Sequence, residues 1–249
     1  MFLPDSKQAI HKAWLYRLLA AIYDNQTLSG FLYFKGGTCA AMLDWLDRFS
    51  IDLDFDFVGK KKDLKTTQKE LENIFKDLGL AIKDKSRKTP QYFLKYPAKS
   101  GARNTIKIDT TYPPPKTNVY QPLRFSDIDR IIYCQTIETM FANKLVTVLD
   151  RWEKHHSIAG RDIYDIHHFF LNGYKYEKAV IEERRKQPVG KFMKELFRFV
   201  DKKISQIVID QDINHLISAD RFQKIRKVLK REVLMFLKDE IQRLYNLGR

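Results

Sequence analysis

Cysteine is nearly absent: Cys39 and Cys134 are the only two in 249 residues. Two thiols exclude a disulfide scaffold and any zinc site built from several cysteines, and they point to a reducing, cytoplasmic setting. Long apolar runs are absent too, so no membrane span is expected. Met1-Phe2-Leu3-Pro4-Asp5 does not lead into the basic and apolar stretches of a signal peptide. Acid is scarce relative to base. Lys and Arg number 45 against 31 Asp and Glu, a net charge of +14 that favours a polyanionic partner such as nucleic acid, nucleotide or an acidic protein. The excess is +6 over residues 1–150 and +8 over the shorter remainder, so it is densest toward the C-terminus.

What the chain has is 44% hydrophobic residues, enough for a sizeable core, patterned in two regimes. Apolar residues at Ile10, Trp14, Leu18, Ala21 and Ile22 predict an opening helix over 6–28. Phe31-Leu32-Tyr33-Phe34 reads as a strand running into the tight turn Lys35-Gly36-Gly37-Thr38, with a helix from Cys39. Ile51 to Val58 alternates with period two, so Asp52, Asp54 and Asp56 share one face. A charged amphipathic helix over 61–78 follows, then strands over 91–96 and 104–110, the second placing Lys107 and Asp109 opposite Ile106 and Ile108. Tyr112-Pro113-Pro114-Pro115 ends this pattern as a stiff connector. From about Cys134 the periodicity is helical, over 137–152, 162–171, 176–186, 191–200 and 220–247. The expected fold is α+β, a mixed sheet with flanking helices over residues 1–130, followed by a C-terminal helical bundle over 131–249.

Lys35 to Asp54 carries the most chemistry. Two glycines allow positive φ and close backbone approach, and a helix starting there offers N–H groups to phosphate. Asp52 and Asp54, two apart on a strand, aim both carboxylates to one side, where divalent cations bridging nucleotide phosphates relieve their repulsion. Asp109 joins them if the strands are neighbours, and a third acid is what a second metal and an acceptor hydroxyl require.

The string Lys35-Gly36-Gly37-Thr38, nine residues, then Arg48-Phe49-Ser50-Ile51-Asp52-Leu53-Asp54-Phe55 resembles the first motif of the AbiEii/AbiGii toxin family of nucleotidyltransferases, within the DNA polymerase beta-like superfamily. Ile106-Lys107-Ile108-Asp109 resembles the strand of the third acid. Glu138 to Leu145 resembles the family's lysine helix, and Arg161-Asp162-Ile163-Tyr164-Asp165 its closing motif. The resemblance implies a toxin-like enzyme that uses a nucleoside triphosphate, Mg²⁺ or Mn²⁺ and a macromolecular acceptor, RNA (in some members the tRNA 3′ end) or protein, and that is paired with a cognate antitoxin.

By position in the motifs, Asp52, Asp54 and Asp109 are the metal ligands. Gly36, Gly37 and Thr38 cradle the triphosphate, and Lys144 contacts it and offsets charge as pyrophosphate leaves. Asp162 and Asp165, on one helical face, orient Lys144, Arg161 or the base end of the nucleotide. Arg48 binds phosphate, pairs with a motif acid or serves structure, and Ser50 caps backbone N–H groups. Simpler roles stand beside these: an exposed strand face for the aspartates, a snorkelling lysine at 144, a helix-dipole acid at 162. The pairs His155-His156 and His167-His168 lack the spacing of a zinc site, and Cys39 reads as a buried thiol. Lys60 to Lys62, Arg184 to Lys186 and Arg221 to Arg231 offer basic surface to RNA or to an acidic antitoxin. A small-molecule nucleotidyltransferase uses the same donor motifs, and a catalytically silent binding module needs the charge alone.

Overall fold

The computed structural model describes residues 8–98 and 103–247, and the chain divides into two compact units, residues 1–114 with 119–136, and residues 115–118 with 137–249. The expected opening helix is two helices, α1 (Ala9–Asp24) and α2 (Gln26–Phe31). Asn25 separates them: its backbone is extended and its side chain accepts from the N–H groups of Thr27 and Leu28, so it closes one helix and caps the next. Residues 6 and 7 lie outside the described residues.

The first unit continues with β1 (Leu32–Lys35), α3 (Gly36–Met42), β2 (Asp52–Phe57), α4 (Leu64–Asp77), β3 (Ala81–Lys85), β4 (Tyr92–Lys95), β5 (Thr105–Thr111), β6 (Tyr120–Phe125) and β7 (Arg130–Gln135). The strands form one mixed sheet in the order β3-β4-β5-β2-β1-β7-β6. The pairs β2–β5 and β1–β7 are parallel and the others antiparallel. Period two divides β2 in chemistry: Leu53, Phe55 and Phe57 are fully buried, while Asp52, Asp54 and Asp56 turn to the other face. Beneath the apolar face, α1 buries Leu15, Leu18, Leu19 and Ile22, one stripe at helical spacing, and Tyr23 and Phe34 meet the Phe55 ring. Each such fully buried side chain contributes about 2 kcal/mol, which anchors β2 between its neighbours.

Three strands go unpredicted by periodicity. β3 is exposed at every residue and sits at one edge, β6 carries Pro122 at the other, and β7 lies inside a stretch expected to turn helical.

The second unit is helical: α5 (Ile137–His155), α6 (Gly160–Leu171), α7 (Lys178–Arg185), α8 (Val189–Lys203), α9 (Gln206–Ile213), α10 (Ala219–Ile225) and α11 (Leu229–Leu247). Phe141 on α5 packs against Phe169 and Phe170 on α6, and Phe170 stacks on Phe236 of α11. On α8, Phe192, Met193, Leu196 and Val200 are buried at helical spacing. The expected helix over 220–247 is broken by a turn at 226–228 into α10 and α11. Among the described residues, no helix is long and apolar enough to cross a membrane.

Candidate active site

β1 runs directly into α3, so Gly36 and Gly37 stand at the strand-to-helix turn. Gly36 has φ +81°, and a Cβ there would collide with the Asp54 side chain. At Gly37 a Cβ would come 2.8 Å from the Arg48 guanidinium and 3.0 Å from Ser50 Oγ. Gly36 is therefore required for backbone conformation and for the approach of the acid, and Gly37 for the approach of the arginine to the turn. Thr38 is buried and its hydroxyl donates to the Asp52 carbonyl, so its side chain ties α3 to β2. Arg48 is buried as well, with Nη1 donating to the Phe49 carbonyl at 2.9 Å.

The parallel pairing of β2 with β5 sets Asp52 opposite Lys107 and Asp54 opposite Asp109. Side chains in register on adjacent strands share a face, so Asp52, Asp54 and Asp109 lie on one surface of the sheet, each partly exposed. Lys107 lies on that surface too. Its ammonium donates to the Asp109 carboxylate, which also accepts from Gln91 Nε2 at 2.6 Å. Partial burial works against the Lys107 charge, but the bond to Asp109 and the charges of Asp109, Asp54 and Asp52 outweigh it and hold the pKa above the ordinary lysine value. Among the described residues, no group of three or more His, Cys, Asp or Glu is arranged, as it stands, to hold a metal ion.

Asp56 has a different fate from its two neighbours. It is fully buried, and its carboxylate accepts from Lys35 Nζ (2.6 Å), Tyr120 Oη (2.8 Å) and Gln135 Nε2 (2.6 Å). This network ties β2 to β1, β6 and β7. At the other end of β2, His11 Nε2 donates to the Ile51 carbonyl at 2.9 Å and Nδ1 meets the Tyr96 hydroxyl. Burial pushes the His11 pKa down to about 4, the Ile51 bond pulls it back up, and Arg103 adds to the depression.

In the helical unit, Lys144 on α5 places Nζ 2.8 Å from Asp165 and 3.2 Å from Asp162 of α6. Both acids are buried, and Asp162 also binds Arg151 Nε at 3.0 Å. The two motif acids thus hold one lysine. Arg184 and Arg185, read from sequence as basic surface, are engaged with Asp150, and Arg185 also with Glu153 and Glu195. His167 is a buried partner of Glu232 at 2.7 Å. Cys39 is buried, its thiol pKa raised first by burial.

Sequence reasoning left three contributors unassigned: Lys107, Gln91, and the Lys35–Asp56 network. Lys107 had a signal, since it stands two residues before Asp109 on the same face. The other two depend on strand order, which periodicity does not encode.

A glycine turn against an Asp-x-Asp strand, with a third acid in register beside it on a mixed sheet, is the architecture of a nucleotidyltransferase. Residues 17–240 match the family described as nucleotidyl transferase AbiEii toxin, type IV TA system, and the chain belongs to that family. Solved structures share the fold. A Helicobacter pylori protein described as a nucleotidyltransferase has a TM-score of 0.63 at 18% identity, covering 98% of each chain. JHP933 from Helicobacter pylori has a TM-score of 0.55 at 18% identity over 100% of both chains. MenT4, a nucleotidyltransferase toxin from Mycobacterium tuberculosis H37Rv, has a TM-score of 0.52 at 15% identity, covering 95% of this chain and 87% of its own. No curated protein matches the chain.

Proposed function

We propose that this protein transfers a nucleoside monophosphate from a nucleoside triphosphate to an RNA hydroxyl, in a Mg²⁺-dependent reaction that releases pyrophosphate. The observation that carries this reading is the face shared by Asp52, Asp54 and Asp109 beside the Gly36-Gly37 turn. Three hard carboxylate oxygens suit a hard divalent cation, and Lys107 already places positive charge among them. Asp52 and Asp54 would hold the ion, and Asp109 would join once released from Lys107. A bound divalent ion supplies neutralisation of triphosphate charge.

This chain's residues do the rest. Backbone N–H groups at Gly36 and Gly37 receive phosphate oxygens, and Arg48 braces the turn from behind Gly37. The acceptor oxygen attacks the α-phosphorus in line, the bond to the bridging oxygen of the β-phosphate breaks, and the hydroxyl proton passes to Asp109 or to water. In the helical unit, Lys144, held by Asp162 and Asp165, is the residue that its motif assigns to the triphosphate. The net charge of +14 favours RNA over a cationic small molecule as acceptor, and it suits an acidic antitoxin as partner. The test is transfer of label from an α-labelled triphosphate to RNA by wild-type protein, set against folded Asp52→Ala and Lys144→Ala variants.

A further inference from the structure

The acid face carries a cation of its own. Lys107 is in register with Asp52 across the parallel β2–β5 pair and two residues before Asp109 on β5, so the alternation of the strand fixes it on the same surface as all three acids. Its ammonium is bonded to Asp109, and the Asp109 oxygen it leaves takes the Gln91 amide. Lys107 and Asp109 are each about one-third exposed, 35% and 31%, so the ion pair is reachable from solvent. Asp56, the acid on the same strand that serves structure, is instead buried under Lys35, Tyr120 and Gln135.

Three carboxylates on one surface repel each other unless a cation lies among them. We propose that Lys107 is the resident counter-cation of this acid face, a positioning residue that a divalent ion must displace from Asp109 before the three carboxylates can share that ion. The proposal rests on the metal-ligand reading of Asp52, Asp54 and Asp109. Lys107 thereby sets the threshold of divalent ion at which the site assembles.

The test uses the full chain without nucleotide and follows Mn²⁺ binding by electron paramagnetic resonance, with circular dichroism as the check on folding. Replacing the ammonium by an apolar group of similar length, Lys107→Met, removes the competitor. Mn²⁺ should bind roughly tenfold more tightly, while Lys107→Arg keeps the charge and should stay within about twofold of wild type. Thermal stability gives a second readout: Mg²⁺ should raise the melting temperature of Lys107→Met more than that of wild type. Lys107→Gln replaces the methionine variant if the latter folds poorly. Mn²⁺ binding that Asp52→Asn abolishes but Lys107→Met leaves unchanged or weakens would overturn the counter-cation and keep the metal reading. Mn²⁺ binding that Asp52→Asn does not alter would overturn the metal reading and the counter-cation with it.

Discussion

Asp56→Ala should destabilise the sheet unit strongly while Asp52→Asn should leave it intact, although the two acids lie four residues apart on one strand face. Asp56 is fully buried and accepts from Lys35, Tyr120 and Gln135 at 2.6 to 2.8 Å. Removing it strands a lysine charge and two polar groups. Loss of one partner of a buried ion pair costs about 3–5 kcal/mol, and in a chain of this size that is a fall on the order of 10 °C in melting temperature. Asp56→Asn keeps an acceptor for one donor and should lose about half as much. Asp52 is partly exposed and faces Asp54 on its own strand. Neutralising it removes repulsion from Asp54 and attraction to Lys107 together at a partly exposed position, so its stability should lie within about 0.5 kcal/mol of wild type. Thermal unfolding followed by circular dichroism measures both, and nucleotidyl transfer measures activity. Asp52→Asn should melt normally and be inactive. An Asp56→Ala chain that melts within about 2 °C of wild type, or an Asp52→Asn chain that melts as early as Asp56→Ala, would refute the division of this strand into structural and reacting acids.

Gly36→Ala places a Cβ at φ +81° against Asp54, which should cost about 2 kcal/mol or more. It should also lower transfer sharply, as a parallel melt and activity assay would show. His11 binds its proton less readily when folded, with a pKa near 4 against about 6.5 unfolded, so its contribution is complete above pH 6.5 and is lost as pH falls toward 4. Unfolding free energies from urea titrations should fall between pH 7 and 4.5 by about 2 kcal/mol more for wild type than for His11→Asn. Lys144→Ala leaves Asp162 and Asp165 buried without their lysine and should cost about 2–4 kcal/mol. Its loss of activity therefore counts as chemistry only below its own melting transition, whereas Lys144→Arg should restore stability more than transfer.

The sequence made the site's local parts legible because each depends on short-range geometry. Alternation over Ile51 to Val58 separates the acids from Leu53, Phe55 and Phe57 without knowledge of any neighbour, and paired glycines before a helical segment mark a turn. Joining Asp109 to Asp52 and Asp54 needed the parallel neighbour β5, which alternation alone leaves open. What stayed hidden depends on pairing at distance. β3 is a wholly exposed edge strand with no apolar face to announce it, and β6 carries a proline that an edge position tolerates. The buried state of Asp56 follows from the side chains of Lys35, Tyr120 and Gln135 on β1, β6 and β7 converging on it, so its sequence neighbourhood, identical in pattern to that of Asp54, gave no warning. The break at Asn25 was visible in kind, since asparagine is a common N-cap, but the apolar periodicity runs through it and masks it. Arg184 and Arg185 show the limit of charge runs: a basic string on a helix faced acids on α5 and α8 rather than solvent.

The central claim is best tested by incubating the purified chain and Mg²⁺ with each of four α-labelled nucleoside triphosphates and total cellular RNA, with folded Asp52→Asn as control. The account expects label in RNA from at least one triphosphate, in wild type and not in the variant, and release of pyrophosphate in equal amount. Label confined to protein would move the acceptor to a protein hydroxyl. Equal labelling by wild type and Asp52→Asn, or no labelling in any fraction with all four triphosphates, would contradict the proposed transfer to RNA.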